Sequence, residues 1–324
     1  MRLLRIVPDN TRFRFVRFRR FSFPFSALVS LATAILLLTA GLHFGIDFTG
    51  GTLIELQARN GQGNAAQVRE IAHGFGVGEV EVQEFGSEGG VSLRVPVQPG
   101  GEQAQGAVVQ KARAAFDKDY EFRRVETVGP RVSGELVQSG TLGVVLSILA
   151  VMAYLWFRFE LQFAIGAIIG TMHDIVLTIG FFLITRIEFN MTSIAAILTI
   201  VGYSLNETVV VFDRTRELLR RYKSMPVEEL LDLSVNSTLS RTAMTATTTA
   251  LSLLALVLFG GDAIRDFAVV MLFGVIVCTY SAVFISSPSL IYLGVKASNR
   301  VAAEADQGAV KKPAARTGPA GAAP

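Results

Sequence analysis

The stretch VGYSLNETVVVFDR, residues 201–214, decides how the rest of the chain must be arranged. It closes an apolar segment that begins near Phe189, yet Asn206 and Glu207 lie inside that segment. An ionisable side chain at membrane depth is costly, about 2.5–3.5 kcal/mol for a central Asp, Lys or Arg on insertion scales. Such a residue usually faces a partner or a water-filled cavity, so Glu207 is a candidate functional residue. Arg241, at the start of the next apolar segment, is the candidate partner.

The composition indicates a polytopic membrane protein. Of the 324 residues, 51% are hydrophobic and 18% are charged, against about 25% charged in an ordinary soluble domain. The single cysteine, Cys278, excludes an intramolecular disulfide. The three histidines show no metal-ligand spacing, and the sequence contains no G-x-x-x-x-G-K-[ST] phosphate loop. We therefore expect no metal, no cofactor and no enzymatic activity.

Six apolar segments predict six transmembrane helices. A basic block, residues 1–20, precedes the first and carries seven arginines against one acid, so the positive-inside rule places it in the cytoplasm. A cleaved signal peptide is the alternative, but the apolar run exceeds the about 7–15 residues of its core. The predicted spans are 21–43, 136–157, 161–185, 189–212, 242–261 and 267–295, with a cytoplasmic loop at 213–241 and a disordered cytoplasmic tail at 296–324.

Both chain termini are therefore expected in the cytoplasm of a bacterial cell, with the spans in its inner membrane. Pro288, inside the last apolar segment, is expected to kink or end that span.

Residues 44–135, between the first two spans, are polar and long enough to fold as an extracytoplasmic domain. Asn64 is the expected N-cap of its first helix. The βαββαβ order of predicted elements is that of ferredoxin-like folds. The fold class is thus a polytopic α-helical membrane protein with one α+β domain, which we expect to dock a polypeptide or a partner domain. Alternation predicts strands at 52–57, 79–85, 91–97 and 122–128, and composition predicts helices at 64–73 and 101–117.

Glu207 has two possible roles. Burial raises the pKa of a carboxyl group, whereas a nearby arginine lowers it. A carboxyl group between these influences can change its protonation as its surroundings change, which a proton carrier requires. The alternative is a fixed, ion-paired or hydrogen-bonded Glu207 that only holds helices together.

The other polar groups inside the spans also leave two interpretations open. Thr245 lies one helical turn after Arg241 and on the same face. Its hydroxyl either lines a proton path with Arg241 or serves only helix packing. His173 and Asp174, in mid-span, are either part of such a path or a helix–helix contact.

Four stretches resemble one family. GIDFTGG, residues 45–51, is similar to the motif shared by the SecD/SecF family of accessory membrane subunits of bacterial protein export. His173-Asp174, residues 202–214 and Ser240-Arg241-Thr242 are similar to its SecF branch. The resemblance covers about residues 40–295. It implies membership of the resistance-nodulation-division superfamily, whose members couple transport to proton flow.

The resemblance also implies roles for particular residues. Glu207, after Asn206, would stand at the intramembrane carboxylate of the family, accompanied by Arg241 and with Thr245 on the same path. The family pattern has aspartate at this position, so glutamate keeps the titratable group but moves it one methylene outward. The segment Asp47-Phe48-Thr49-Gly50-Gly51 would join the outer domain to the membrane part, and its paired glycines favour a hinge or tight turn.

The implied function is that of an accessory subunit of the Sec translocase. Such a subunit uses the proton motive force to drive or complete the export of polypeptides. SecD is the implied partner, because the chain supplies one six-span half, and the SecYEG channel and SecA are implied through the translocase; nucleic acid is not. Two alternatives stay open: a proton-coupled small-molecule efflux transporter of the same superfamily, and a non-transporting assembly scaffold.

Overall fold

The computed structural model describes Pro8 and residues 11–61, 63–84 and 89–295. The predicted tail, most of the first ten residues, residue 62 and residues 85–88 lie outside the described residues. A four-stranded α+β domain lies between the first and second spans, so the predicted fold class is confirmed. Within the described residues, six segments are long and apolar enough to cross a membrane: Val16–Thr39, Pro130–Arg158, Leu161–Thr185, Met191–Arg221, Val227–Phe259 and Ile264–Tyr292.

The outer domain has the ferredoxin-like topology. Its four strands pair antiparallel in the order β2-β3-β1-β4, and Ile54 lies opposite both Leu93 and Val125. The Asn64 side chain accepts a hydrogen bond from the Gln67 amide at 3.1 Å, as an N-cap does. The elements are β1 Gly51–Ala58, α3 Ala65–His73, β2 Glu81–Glu84, β3 Gly90–Val95, α4 Gly101–Phe116 and β4 Tyr120–Val128. A short helix, α2 (Ile46–Thr49), precedes β1.

Each of the first four spans of the bundle is one α-helix, except that a short 3₁₀ turn precedes the first. The first consists of a 3₁₀ turn, Val16–Phe18, followed directly by α1. The helices are α1 Arg19–Thr39, α5 Pro130–Arg158, α6 Leu161–Thr185 and α7 Met191–Arg221.

The segment 213–241 is mostly helical, so the prediction of a loop there is wrong. α7 continues to Arg221, and the next helix, α8 (Val227–Phe259), begins after a five-residue connection. The loop was inferred because charged residues end the apolar run, but arginine and glutamate are good helix formers. The two extensions also pack on each other, since the Thr215 hydroxyl donates to Ser234 Oγ at 2.8 Å.

The last span is interrupted but not ended by its proline. α9 (Asp262–Ser281) passes into a π-helical turn, Ala282–Ser286, and then into α10 (Ser287–Tyr292). Pro288 lies in the first turn of α10, and because it has no N–H it cannot donate to a carbonyl of the π-turn before it. The interruption of the regular α-helix therefore lies in the π-turn just before the proline.

Three spans form the centre of the bundle. In the most apolar window of α6, α7 and the last span, 50%, 44% and 61% of residues are buried, against 17%, 11% and 11% for α1, α5 and α8. Close packing at the centre uses glycines: a Cβ at Gly170 would collide with Ser286, and one at Gly274 with Ile200. Polar groups where these three helices face one another are therefore shielded from the surroundings of the bundle.

The two ends of the bundle differ in charge. Phe44 pairs with Phe189 through a backbone bridge, so the loop between α6 and α7 lies beside the outer domain; we call this the domain end. At the other end Arg19 pairs with Glu228 at 2.6 Å, which brings the starts of α1 and α8 together. Because the arginines of residues 12–20, 158 and 214–221 lie there, we call it the basic end.

Candidate functional site

Glu207 is buried at the contact between α7 and α8. Its side chain is 2% exposed, and Oε1 accepts a hydrogen bond from Thr245 Oγ1 at 3.0 Å. It lies sixteen positions after Met191 at the domain end, which is about 24 Å along a helix. In an apolar layer of about 30 Å, Glu207 therefore lies nearer the basic end but still inside the layer.

The Thr245 hydroxyl can serve both protonation states of Glu207. Its oxygen is 3.0 Å from Glu207 Oε1 and also 3.0 Å from the backbone carbonyl of Thr242. A hydroxyl has one hydrogen and two acceptor lone pairs. It can donate to an ionised Glu207, or accept from a protonated Glu207 while donating to the Thr242 carbonyl. The carboxyl group thus keeps a partner in either state.

Further hydroxyl groups around Glu207 have hydrogen-bonding capacity to spare. The hydroxyl oxygens of Tyr203, Thr208 and Thr242 are buried and have no hydrogen-bond partner within the described part of the chain. Tyr203 lies one turn before Glu207 on α7, Thr208 follows it, and Thr242 lies one turn before Thr245. Buried polar atoms are rarely unpaired, and these three lie on the two helices that meet at Glu207; the hydroxyl groups of Thr171, Ser286 and Ser287 are likewise buried and unpaired elsewhere in the described bundle.

Asp174 is the centre of a second, fully bonded group. It is 0% exposed, and its Oδ2 accepts hydrogen bonds from Ser204 Oγ of α7 at 2.6 Å and Ser281 Oγ of α9 at 2.8 Å. Its Oδ1 lies 3.1 Å from His173 Nδ1. Because both carboxylate oxygens are occupied by donors from other residues, Asp174 ties the three central helices together.

His173 extends this group to α1. Its Nε2 lies 3.1 Å from Ser26 Oγ, which in turn is 3.2 Å from the Tyr280 hydroxyl. His173 and Asp174 thus make a helix–helix contact, and their part in a proton path stays a prediction. Ser204, which donates to Asp174, lies three residues before Glu207 on α7, so the same helix contacts one buried carboxyl group and carries the other. Across residues 11–61, 63–84 and 89–295, no three or more His, Cys, Asp or Glu side chains are grouped to hold a metal ion.

Arg241 and Asn206 do not join the buried site. Both side chains are exposed, and within the described residues neither forms a hydrogen bond or an ion pair. The Arg241–Glu207 contact inferred from the sequence is thus not made; Thr245, one turn deeper on α8, contacts Glu207 instead. A proton-relay role for Arg241 and Asn206 stays a prediction, and both present polar groups on the outside of the bundle.

The glycine-rich segment caps α7. After α2, Gly50 and Gly51 have φ of +71° and +117°, which L side chains rarely adopt, and they lead directly into β1. Asp47, within α2, accepts a hydrogen bond at Oδ2 from the amide of Met191, the first residue of α7, at 2.9 Å. That amide has no partner inside its own helix, and a negative charge is favourable at a helix N-terminus. The expected tight turn is present, and it is bonded to the helix that carries Glu207.

Aromatic and backbone contacts strengthen this junction. The Gly45 amide donates to the Phe189 carbonyl at 2.8 Å, and the Phe189 amide donates to the His43 carbonyl at 2.7 Å. The rings of Phe44, Phe48 and Phe189 pack with centroids 5.8–5.9 Å apart. The start of α7 and the glycine-rich segment therefore form one packed unit.

A salt bridge joins the outer domain to the same place. Arg94 on β3 pairs with Glu188, just before α7, at 2.5 Å, and donates to the Phe44 carbonyl at 2.6 Å. Sequence reasoning missed this residue, because nothing in the alternation of β3 distinguishes Arg94 and its partner is distant along the chain. The ion pair fixes β3 against the loop between α6 and α7.

Two family profiles match the chain. The SecD/SecF GG motif matches residues 35–61, and the profile of the protein export membrane protein SecD/SecF, C-terminal, matches residues 108–296. The second match covers more than half of the chain. The chain belongs to the SecD/SecF family of protein export membrane proteins. Glu207, Thr245 and Asp174 all fall within the second match, and the segment that caps α7 falls within the first.

Two relatives of different length show how much of the SecD/SecF family the chain represents. It is 41% identical to the protein translocase subunit SecF of Rickettsia akari over 301 residues, covering 92% of this chain and 97% of that protein. It is 43% identical to the protein translocase subunit SecDF of Brucella abortus over 295 residues, covering 91% of this chain and 39% of that longer protein. The chain is therefore a SecF-type translocase subunit, a transport protein rather than an enzyme.

Solved structures of the SecD/SecF family share the fold. The crystal structure of SecDF, a translocon-associated membrane protein from Thermus thermophilus, matches with a TM-score of 0.78 at 30% identity, over 89% of this chain and 39% of that chain. A SecDF structure in a super-membrane-facing form matches with a TM-score of 0.61, also at 30% identity, over 92% of this chain and 40% of that chain. The chain thus resembles the first form more closely, although its sequence is equally similar to both.

The Asp174 group is expected to stabilise the bundle. We expect Ser204→Ala combined with Ser281→Ala to lower the free energy of unfolding by about 2–5 kcal/mol, because the buried carboxylate loses both hydroxyl donors. The measurement is unfolding in mixed detergent micelles. Ser252→Ala on α8 is the matched control, since its hydroxyl donates only to the Thr248 carbonyl of its own helix. Equal stability of the double variant and the control would contradict the proposed role of Asp174.

Proposed function

We propose that this SecF-type subunit couples the proton motive force to polypeptide export through protonation of Glu207. The observation that supports this most directly is the contact of the buried Glu207 with Thr245, whose hydroxyl can act as donor or acceptor. A fixed structural carboxylate would need several committed donors, as Asp174 has. Within the described residues, Glu207 has a single donor, the Thr245 hydroxyl, which also bonds the Thr242 carbonyl. When Glu207 gains or loses a proton, this hydroxyl therefore keeps a hydrogen-bond partner.

The energy available from one proton is sufficient to shift a conformational equilibrium. A proton that crosses from the domain end to the basic end releases about 2.3 kcal/mol for every 100 mV of membrane potential. That corresponds to a change of about fifty-fold in the ratio of two conformations. Within the bundle, this free energy would act where α7 and α8 meet, because the charge of Glu207 changes at their contact.

α7 would carry the change to the outer domain. At its N-terminus it is capped by Asp47 and packed against Phe48, and the adjoining Glu188 holds Arg94 of the outer domain. A shift or tilt of α7 therefore acts on both attachments of that domain. The two SecDF structures are equally similar to this chain in sequence, but their TM-scores are 0.78 and 0.61. This difference supports the proposal that more than one arrangement occurs in the family.

SecD is the proposed partner within the membrane. Asn206 and Arg241 are exposed on α7 and α8 at or near membrane depth, where a polar side chain usually faces protein or a wet cavity. A second six-span half would provide such surroundings. The two SecDF relatives, of which this chain matches 39%, support this pairing because they contain the additional length. The proposed partners beyond SecD are the SecYEG channel, SecA and the translocating polypeptide.

The central prediction concerns Glu207. We expect Glu207→Gln to assemble with SecD at the normal level but to abolish the stimulation of precursor export by a proton gradient, because glutamine cannot carry a proton. The measurement is translocation of a secreted precursor into membrane vesicles with and without the gradient. In the purified protein, the carbonyl stretch of one protonated carboxylic acid should also disappear from the pH-dependent infrared difference spectrum.

Glu207→Asp is the matched control, since it keeps the titratable group and the resemblance implies aspartate at this position in the family. It should retain gradient-stimulated export. If Glu207→Gln exported as well as the unchanged protein, Glu207 would be removed from the mechanism and the assembly scaffold would become the better interpretation.

A second prediction tests the route through α7. Spin labels are placed at Ala66 in the outer domain and Ile264 at the domain end, in a Cys278→Ala background. We expect the distance distribution between them to depend on pH, and Asp47→Ala to abolish this dependence because the hydrogen bond from the Met191 amide of α7 to Asp47 is lost. Asp117→Ala removes the same charge from an exposed position of the outer domain and should leave the dependence intact. A pH response that survives in Asp47→Ala would exclude the cap as the connection.

A third prediction concerns orientation. The positive-inside rule places the basic end in the cytoplasm and the outer domain on the opposite side. In the same Cys278→Ala background, cysteine substituted at the exposed Ala66 should react with a membrane-impermeant maleimide in intact spheroplasts. Cysteine substituted at the exposed Lys223 should react only after the membrane is opened. The reverse pattern would overturn the proposed orientation of both termini.

A further inference from the structure

A basic cavity lies at the basic end, where α5 ends and α7 continues beyond the apolar layer. Its volume is about 530 Å³, and four of its lining side chains are arginines while two are acids. The net charge of this lining is therefore +2. It is lined by Arg158, Asp213, Arg216, Glu217, Arg220 and Arg221.

Two of the guanidinium groups are held in place by the structure. The guanidinium carbons of Arg158 and Arg216 lie 5.0 Å and 5.6 Å from the centroid of the Phe159 ring, which is itself buried. Arg158 Nη2 also donates to Asp213 Oδ2 at 2.6 Å. Two positive charges are thus kept near each other on one aromatic ring, with a single carboxylate to offset them.

Donors in this cavity remain available to a ligand. Arg216 has a long ion pair, with Nη1 3.8 Å from Asp213 Oδ1, and its buried Nε has no hydrogen-bond partner among the described residues. Glu217 is engaged by Arg214 at 2.5 Å, and within the described residues neither Arg220 nor Arg221 forms an ion pair. Planar guanidinium groups with free N–H donors match the oxygens of a phosphate group.

The cavity opens at the depth of lipid headgroups. Trp156 and Phe157, directly before Arg158, are 66% and 89% exposed, as expected for aromatic residues at a membrane–water interface. The arginines of α7 lie three to eight residues beyond Asp213, which is about 4–12 Å further along the helix axis. That interval corresponds to the headgroup layer outside the apolar core.

We propose that this cavity binds the phosphate group of an anionic phospholipid. The guanidinium groups of Arg216 and Arg220 would contact the phosphate oxygens, and the acyl chains would lie along the exposed apolar surface of α5, which includes Leu149 and Phe157. Basic pockets between helices on the cytoplasmic side of a membrane suit such headgroups. This exposed apolar surface favours a lipid over free inorganic phosphate.

The bound lipid would strengthen the contact between α5 and α7. Only 11% of the apolar window of α5 is buried, so this helix is weakly attached to the centre of the bundle. A phosphate shared between the cavity wall at Arg158 and the arginines of α7 would bridge the two helices. This inference depends on the basic end alone and is independent of the role proposed for Glu207.

The test compares lipid binding by charge-matched variants of the full chain purified in non-ionic detergent. Phosphatidylglycerol is titrated against phosphatidylcholine with the same acyl chains, and bound lipid is counted by native mass spectrometry while the melting temperature is recorded. We expect Arg216→Gln with Arg220→Gln to raise the half-saturating concentration of phosphatidylglycerol by about tenfold or more. Arg17→Gln with Arg20→Gln removes the same charge from exposed positions at the same end and should change it little.

Three outcomes would count against the proposal. If both variant pairs weakened binding equally, the attraction would be a general property of the basic end and not of this cavity. If inorganic phosphate raised the melting temperature as much as phosphatidylglycerol and displaced it, the ligand would be a free phosphate. Should the glutamine pair fail to fold, Arg216→Lys with Arg220→Lys keeps the charge but loses the planar fork. It is expected to bind phosphatidylglycerol more weakly than the unchanged protein, and unchanged binding would count against the site.

Discussion

A carboxylate inside an apolar helix bundle must be supplied with hydrogen-bond donors or be neutralised, because its desolvation otherwise outweighs the packing around it. Asp174 meets this requirement with two hydroxyl groups and an imidazole from three helices. The result is a fixed polar centre on which α6, α7 and α9 converge. Glu207 meets the same requirement differently, with one hydroxyl that can reverse its direction. The first arrangement holds the helices in register, and the second permits a change of charge.

α7 carries the consequences of both arrangements. Ser204 binds it to the fixed centre, Glu207 lies one turn further on, and Met191 at its start is capped by Asp47. The helix is therefore anchored at mid-span and attached to the outer domain at its end. An element that touches a titratable group, a fixed pivot and a separate domain has the connections that coupling requires. The chain belongs to a family of protein export membrane proteins, and the proposed use of this connection is the export of polypeptides.

The outside of the bundle is also informative. The peripheral spans expose apolar side chains, as lipid contact demands, but Asn206 and Arg241 interrupt that pattern on α7 and α8. A polar group in such a place indicates protein rather than lipid as its neighbour. At the basic end, lipid is the expected neighbour, because the arginines around Phe159 lie beside exposed aromatic residues. The outside of the bundle thus has two different regions. One, at Asn206 and Arg241, is suited to a second half of the translocase, and the other, at the basic end, is suited to a charged lipid.

The sequence by itself determined the six spans and the outer domain, and it singled out Glu207 as a candidate. These follow from local signals: an apolar run of span length, the period of strand alternation, and a charge inside an apolar segment. It also favoured Thr245, because helical spacing places it on the face of Arg241. The same signals failed at 213–241, where charged residues ended the apolar run but not the helix.

Tertiary structure alone decided which polar groups meet. Arg241 was the obvious partner for Glu207 by charge, yet the helix presents Thr245 to the carboxyl group and turns the arginine outward. The pairs of Asp174 with Ser281, of Asp47 with the Met191 amide and of Arg94 with Glu188 join residues far apart in the chain. Charge and periodicity report what a residue can do and which face it occupies. The identity of its neighbour depends on how the helices rotate and pack, and no local pattern in one sequence contains that information.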